Sequence, residues 1–234
     1  MAPGRPGCED AAVDDTYTGR VTVGGPAQTR TLPGLEITKV AVGPMDNNAY
    51  LLRCRSTGET LLVDAANDAD TLTGLIRERA GGRLDHIVTT HRHGDHWQAL
   101  TEVAGATGAH TSAGRQDGRE LPLDPDRLLD HGDTVTVGDC RLDVIGLVGH
   151  TPGSVALLYS DPEGHDHVFT GDSLFPGGVG KTWGPGDFES LIDHVSERLF
   201  GRLDDDTWVY PGHGADTTLG AERPHLAEWR ARGW

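Results

Sequence analysis

The feature that most constrains the fold is a cluster of metal-ligating side chains, His91-Arg92-His93-Gly94-Asp95-His96, directly after the apolar segment 86–90. The apolar segment predicts a buried strand. A strand that ends in a tight loop directs several short side chains at one point, and imidazoles with a carboxylate are ligands that zinc prefers. We therefore expect a metal site at the end of a buried strand.

Composition narrows the class of protein. The 234 residues carry a formal net charge of −16, which argues against nucleic acid as a partner because phosphate binding needs clustered Lys and Arg. No apolar run of about 18 residues predicts a membrane span, and the N-terminus lacks the pattern of a secretory signal. The three cysteines, with no C-x-x-C pair, indicate free thiols of a cytoplasmic protein. The oligomeric state stays open.

The chain divides into a tail and one domain. Residues 1–33 are rich in Pro, Gly, Asp and Thr without an apolar period, and predict a flexible N-terminal arm. Residues 34–234 predict one domain in which strands followed by helices occur twice, which indicates an α+β fold of two packed sheets with helices outside. The expected strands are 37–42, 49–52, 61–64, 86–90, 134–137, 140–147, 155–159, 167–170 and 208–210, and the expected helices are 70–80, 95–107, 188–199 and 222–232.

Three further candidate ligands follow apolar strands in the same way. His150, Asp172 and His213 each lie beside glycine or proline, which sets a turn and allows close approach of the backbone. With the 91–96 cluster they make five His and two Asp at strand ends. Seven ligands are too many for one tetrahedral ion, and they fit two ions that share a carboxylate and a water.

These motifs resemble those of a known family. T-H-R-H-G-D-H at 90–96, G-H-T-P-G-S at 149–154, T-G-D-S-L-F at 170–175 and P-G-H-G at 211–214 resemble the ligand motifs of the metallo-β-lactamase superfamily, in family order. The most similar subgroup is glyoxalase II, whose members hydrolyse hydroxyacyl thioesters. The resemblance implies a four-layer αββα sandwich with its metals at one edge, and a small-molecule thioester as substrate.

The resemblance also implies a ligand set and a cofactor. It implies two divalent metal ions, with zinc expected and iron or manganese as alternatives, and a hydroxide between them as the nucleophile. Asp95 is also predicted to orient this hydroxide as a catalytic residue. By this resemblance the first ion takes His91, His93 and His150, the second takes Asp95, His96 and His213, and Asp172 bridges both.

Several details bear on the substrate. Secreted β-lactamases of the superfamily typically have Cys at the position of Asp172, so the Asp points away from antibiotic hydrolysis. Only about 20 residues follow His213, whereas glyoxalase II has a C-terminal helical domain that helps to bind glutathione, so a different carrier thiol is expected. The segments 45–50 and 216–224 are similar to short actinobacterial members, which implies a mycothiol thioester.

Three residues are candidates for substrate binding. Lys181 lies where glyoxalase II has a basic residue that contacts the thiol, and the alternative is a solvated surface lysine. Tyr50 and Trp183 are predicted to line the pocket, with ordinary packing as the alternative for both.

Other activities on the same fold stay open. A mononuclear Fe(II) persulfide dioxygenase would use only His91, His150 and Asp172 as a facial triad. A lactonase or another ester hydrolase would use the same cationic site, because such a site stabilises any oxyanion that forms on a carbonyl.

Overall fold

The computed structural model describes residues 17–233, and seven strands form its first sheet. They are β1 (Gln28–Thr31), β2 (Leu35–Val42), β3 (Asn47–Cys54), β4 (Thr60–Val63), β5 (His86–Thr89), β6 (His110–Gly114) and β7 (Arg127–Leu129). The strands lie in chain order across the sheet. Pairing is antiparallel from β1 to β4 and parallel from β4 to β7.

The second sheet has six strands, and a small two-stranded sheet lies beside it. The remaining strands are β8 (Thr134–Val137), β9 (Cys140–Gly146), β10 (Val155–Ser160), β11 (Asp166–Gly171), β12 (Leu174–Phe175), β13 (Gly178–Val179), β14 (Trp208–Pro211) and β15 (Thr217–Thr218). The order across the second sheet is β15-β14-β11-β10-β9-β8, and β12 pairs with β13. Because β11 and β14 are parallel while β9 and β11 both run antiparallel to β10, the strands β9, β11 and β14 end at the same edge.

The helices are α1 (Ala69–Ala80), α2 (Leu100–Thr107), α3 (Asp187–Val195), α4 (Leu219–Glu222) and α5 (Leu226–Arg232). Three expected helices include a turn of another helix type. A 3₁₀ turn over Gly94–His96 precedes α2, a π-helical turn over Ser196–Phe200 extends α3, and a 3₁₀ turn over Arg223–His225 separates α4 from α5. Pro224 accounts for the last break, since proline has no N–H to donate within a helix. Within residues 17–233, no helix is both long and apolar enough to cross a membrane.

Three buried clusters define four layers. Leu52 of β3 lies in the cluster between the two sheets. Its neighbour Leu51 points to the opposite face, where it packs with Leu72 of α1. On the outer face of the second sheet, Leu158 of β10 packs in one cluster with Leu191 of α3. The alternation of faces along each strand thus builds helix, sheet, sheet and helix in succession, which confirms the predicted αββα sandwich.

Part of the segment expected to be a flexible arm is packed on the domain. Gln28–Thr31 pairs with β2 at the sheet edge, and the Tyr17 hydroxyl donates a 2.6 Å hydrogen bond to Asp216. The contacts are polar and aromatic, and residues 17–33 lack the apolar periodicity by which a sequence pattern would predict packing. The correction applies to residues 17–33, and residues 1–16 lie outside the described residues.

The edge where the parallel strands end joins the two sheets. The Thr90 carbonyl after β5 accepts a 3.0 Å hydrogen bond from Val155 N of the second sheet. The Gly212 carbonyl after β14 accepts a 2.8 Å bond from Asn48 N of the first sheet. The loops that follow β4, β5, β9, β11 and β14 therefore lie close together at this edge.

Candidate metal centre

The structure brings together all seven side chains predicted to bind metal. Their ligand atoms form three groups, with a spread of at most 4.8 Å within each group. The groups are His91, His93 and His150; His91, His96 and Asp172; and Asp95, His96 and His213.

Asp172 lies between the two ends of this cluster. Its Oδ1 is 3.3 Å from His96 Nε2, and its Oδ2 is 3.6 Å from both His150 Nε2 and His213 Nε2. Two ligands of one tetrahedral zinc, each at about 2.0–2.1 Å, lie roughly 3.3 Å apart. The carboxylate is therefore close enough to serve two ions at once.

Tight backbone turns position these side chains. In the 3₁₀ turn His96 N donates to His93 O at 3.0 Å, and Trp97 Nε1 holds the loop by donating to Arg92 O at 2.7 Å. At Gly212 a Cβ atom would lie 2.3 Å from Asp172 Oδ1 and 2.6 Å from His96 Cε1. Any larger residue at this position would fill the space where the ligands converge.

Two histidines have their tautomers set by carbonyl oxygens. His150 Nδ1 lies 2.7 Å from Lys181 O, and His213 Nδ1 lies 3.0 Å from Met45 O. Because a carbonyl oxygen only accepts, each Nδ1 carries the proton and donates it. The Nε2 lone pair of each ring is then directed at the cluster, as in metal-ligating histidines whose other nitrogen is held by the protein.

His91 and His96 are held in the same way through Asp64. The Thr90 hydroxyl donates to Asp64 Oδ2 at 2.8 Å and so accepts from His91 Nδ1 at 3.0 Å. His96 Nδ1 donates to Asp64 Oδ2 at 2.8 Å. Burial and the surrounding imidazoles hold the pKa of His91 well below its ordinary value, so this ring is neutral and its Nε2 keeps a lone pair.

Unpaired polar atoms at the centre fit a bound cation. Among residues 17–233, His91 Nε2 and Asp172 Oδ1 are buried without a hydrogen-bond partner. His96 Nε2 and His213 Nε2 face each other at 3.3 Å, an arrangement that needs a cation or a proton between them. Burial lowers the pKa of His96, but the carboxylates of Asp172 and Asp64 outweigh it and raise this pKa to about 10. The site thus favours positive charge, and the donor set of imidazoles and carboxylates suits zinc, iron or manganese.

Two buried aspartates that the sequence analysis missed support the ligand loops. Asp64 accepts from Thr90 N at 2.7 Å besides the contacts above. Asp117 accepts from Arg92 N at 3.0 Å and from Gly153 N at 2.8 Å, and so joins the loops that carry His93 and His150. Asp64 ends a strand as the predicted ligands do, a signal that would have identified it. Nothing in the sequence around Asp117 indicates its position.

Asp95 is held by an asparagine that was likewise not predicted to act in the site. Asn47 Nδ2 donates to Asp95 Oδ2 at 2.9 Å. The hydrogen bond with His213 keeps the pKa of Asp95 well below its ordinary value despite burial, and the hydrogen bond from Asn47 lowers it further. The carboxylate is therefore ionised at neutral pH and is available as a ligand or a hydrogen-bond acceptor.

A cavity of about 520 Å³ opens beside His93 and His150, and Trp183 lines it. The Lys181 ammonium lies 4.1 Å from the centroid of the Trp183 ring. Tyr50, the third residue predicted to contact substrate, lies instead in the core, where it is 2% exposed and its hydroxyl donates to Pro211 O at 2.7 Å. The packing alternative for Tyr50 therefore describes this structure, because β3 points the side chain between the sheets.

Comparison with known proteins agrees with this geometry. The profile of the metallo-beta-lactamase superfamily matches residues 42–213, and the chain belongs to this superfamily. A hydroxyacylglutathione hydrolase of Fuscovulum blasticum is 40% identical over 136 residues, which are 58% of this chain and 51% of that protein. The chain thus spans about half the length of that relative. The predicted superfamily and the likeness to glyoxalase II are confirmed.

Two solved structures show the same fold. The BLEG-1 B3 metallo-beta-lactamase is 27% identical with a TM-score of 0.73, over 82% of this chain and 99% of that chain. TTHA1623 in a di-iron-bound form is 34% identical with a TM-score of 0.66, over 79% of this chain and 96% of that chain.

Proposed function

We propose that this chain is a dinuclear metal-dependent hydrolase that cleaves small acyl thioesters. One observation carries the dinuclear part: four histidines have Nδ1 committed to a protein acceptor, so that each Nε2 is directed at a centre that contains Asp172. The relative named hydroxyacylglutathione hydrolase supports a thioester as substrate, and the di-iron-bound neighbour supports two ions.

The distances support the ligand assignment that the resemblance implies. His91, His93 and His150 would hold one ion, Asp95, His96 and His213 the other, and Asp172 both. When bound, the two ions would lower the pKa of a shared water and stabilise negative charge on the substrate carbonyl oxygen. A mononuclear triad of His91, His150 and Asp172 would leave the equally compact group of Asp95, His96 and His213 without a metal ion.

Asp95 is the proposed catalytic residue among the ligands. Its carboxylate stays ionised because His213 and Asn47 hold its pKa low. An ionised oxygen at the centre accepts a hydrogen bond from the attacking water and so orients it toward the substrate. Asn47 contributes by keeping Asp95 Oδ2 in place at 2.9 Å.

The cavity beside His93 and His150 is the proposed site for the carrier thiol. Trp183 is 66% exposed there and offers an indole face, and Lys181 adds a positive charge above that ring. Arg92 and Glu120, which form an ion pair, line the same cavity and supply hydrogen-bonding groups. A polar, hydroxyl-rich thiol such as mycothiol suits this lining and agrees with the resemblance to short actinobacterial members.

The test combines metal analysis of protein purified without added metal with a panel of four substrates. These are an acyl-mycothiol, an acyl-glutathione, a lactone and a β-lactam, compared by kcat/KM. We expect two metal ions per chain and fastest turnover of a thioester. A single iron with oxygen uptake would indicate the mononuclear dioxygenase instead. Faster turnover of the lactone or the β-lactam would refute thioester hydrolysis and leave the dinuclear centre standing.

A further inference from the structure

A lysine is buried in the layer between the two sheets. Lys39 lies on the same face of β2 as Ile37, two residues away, and its side chain is 0% exposed. Its ammonium donates to Gly19 O at 2.9 Å, to Gly214 O at 2.8 Å and to Asp216 Oδ1 at 2.6 Å. All three N–H groups are thus used, which is the condition under which a charge is tolerated in a protein interior.

Asp216 completes a network that includes the N-terminal segment. Its side chain is 1% exposed and its Oδ2 accepts from the Tyr17 hydroxyl at 2.6 Å and from Trp208 Nε1 at 3.0 Å. Its backbone N donates to Gly19 O at 3.0 Å. Residues 17–19 therefore cover the Lys39–Asp216 ion pair and share hydrogen bonds with both partners.

This network ends on the loop that carries His213. The Gly214 carbonyl, directly after the ligand, accepts from Lys39 and from Asn48 Nδ2 at 3.0 Å. The Pro211 carbonyl before it accepts from Asn48 Nδ2 at 2.9 Å and from the Tyr50 hydroxyl at 2.7 Å. The backbone on both sides of His213 is thus held by buried side chains of the first sheet, although His213 itself belongs to a loop of the second.

We propose that Lys39 and Asp216 are positioning residues for His213, one member of the ligand group Asp95, His96 and His213, and that Tyr17 covers the pair. They act through the Gly214 carbonyl, which holds the backbone directly after His213, while Met45 O holds the ring itself. This inference rests on the proposed function in so far as a metal ion occupies that group. Within residues 17–233 the network donates no hydrogen bond to the loops of His91, His93 or His150, so its effect is confined to one half of the centre.

A buried ion pair adds little to the stability of a folded protein. Its desolvation cancels most of the attraction, and well-packed apolar replacements are often as stable. Directed hydrogen bonds provide something that apolar packing does not, because they select one orientation of the carbonyl that they hold. The double variant Lys39→Met, Asp216→Asn removes the ion pair and the hydrogen bond from Lys39 to Gly214 O without leaving a charge unpaired, so it separates positioning from stability.

The experiment uses the full chain in three variants. The double variant removes the ion pair and the Lys39 hydrogen bonds, and Tyr17→Phe removes only the hydroxyl that donates to Asp216. Leu75→Ala, in the buried cluster under α1, is the control for a loss of stability away from the centre. Hydrogen exchange of metal-free protein is compared between segments 211–218 and 91–96. Stepwise Zn²⁺ dissociation constants are then measured by competition with a chelator.

We expect exchange in 211–218 to rise at least about tenfold in the double variant and less in Tyr17→Phe, with 91–96 unchanged. One of the two zinc ions should bind more weakly, by up to roughly 10- to 100-fold, the effect of losing a direct partner of a ligand side chain, because the backbone beside His213 is released; the other ion should bind as before. Leu75→Ala should leave the ratio of the two constants unchanged.

Unchanged exchange in 211–218, or equal weakening of both ions as in a general loss of stability, would overturn the inference. Binding of a single zinc ion by the unaltered protein would instead count against the dinuclear proposal. The exchange result, which needs no metal, still decides the positioning role in that case.

Discussion

Replacement of Asp64 by Asn tests how the protein orients one ligand group. Asp64 is 2% exposed and follows β4 with a left-handed φ of 59°, a conformation that Asn also tolerates. The variant therefore keeps the backbone and the side-chain shape and changes only the charge and one acceptor. His96, which donates to Asp64 at 2.8 Å, is the ligand expected to respond.

The magnitude follows from the hydrogen-bond count. Asp64 accepts through both oxygens, from Thr90 N at 2.7 Å and from His96 Nδ1 at 2.8 Å. An amide offers one acceptor and one donor, so either orientation places an N–H against a buried donor. Loss of a hydrogen bond to a charged acceptor costs about 1.5–3 kcal/mol, which corresponds to a roughly 10- to 100-fold loss of metal affinity at about 1.4 kcal/mol per tenfold.

The assay is the measurement of stepwise Zn²⁺ dissociation constants, with anomalous diffraction at limiting zinc to show which ligand group loses its ion. Asp117→Asn is the matched variant, because Asp117 is also buried and accepts from backbone N–H groups beside His93 and His150. Asp64→Asn should weaken mainly the binding of the ion near His96, which Asp64 contacts directly, since it reaches His91 only through Thr90. Asp117→Asn should weaken the binding of the ion near His93. If both variants weaken the same ion, or if neither does, the reasoning from these contacts fails.

Three further predictions concern activity and pH. Asp172→Ala should lower kcat on the order of 10³-fold or more, because this carboxylate lies between both ends of the centre and is proposed to bind both ions; activity within tenfold of the unaltered protein would exclude a bridging role. Lys181→Ala should raise KM more than it lowers kcat, as expected when uniform binding is lost; a fall confined to kcat would place Lys181 in the chemical step. Burial and the neighbouring His165 lower the pKa of His167 to about 3, whereas in the unfolded chain the histidine has its ordinary pKa of about 6.5. Because the unfolded chain therefore binds the proton first, the free energy of unfolding falls as the pH drops from about 6.5 towards 3. Urea unfolding at pH 6.5 and 5 should show a loss about 2 kcal/mol larger in the unaltered protein than in His167→Gln, and equal losses would contradict the assignment.

The sequence by itself determined the candidate ligand residues and the class of fold. Four candidate metal ligands could be identified because each follows an apolar strand and stands beside a glycine or proline, or in a tight loop. They are His91, His150, Asp172 and His213. Strand ends of one sheet meet at one edge, which accounts for the convergence of His150, Asp172 and His213 in the second sheet. His91 follows a strand of the first sheet, and only the packing of the two sheets brings it to the others. The alternation of strands and helices likewise predicts two sheets with helices outside, since each amphipathic element must bury one face.

Only the tertiary structure decided what surrounds the ligands. Asp64 and Thr90 are 26 positions apart, and Lys39 and Asp216 are 177 positions apart. No local period signals such pairs, because a buried polar group is defined by the partner that the fold brings to it. The same reason explains Tyr17, whose contact with Asp216 makes a segment without apolar pattern part of the domain. The type of a candidate ligand can be read from the local sequence, whereas its orientation is set by contacts between distant parts of the chain.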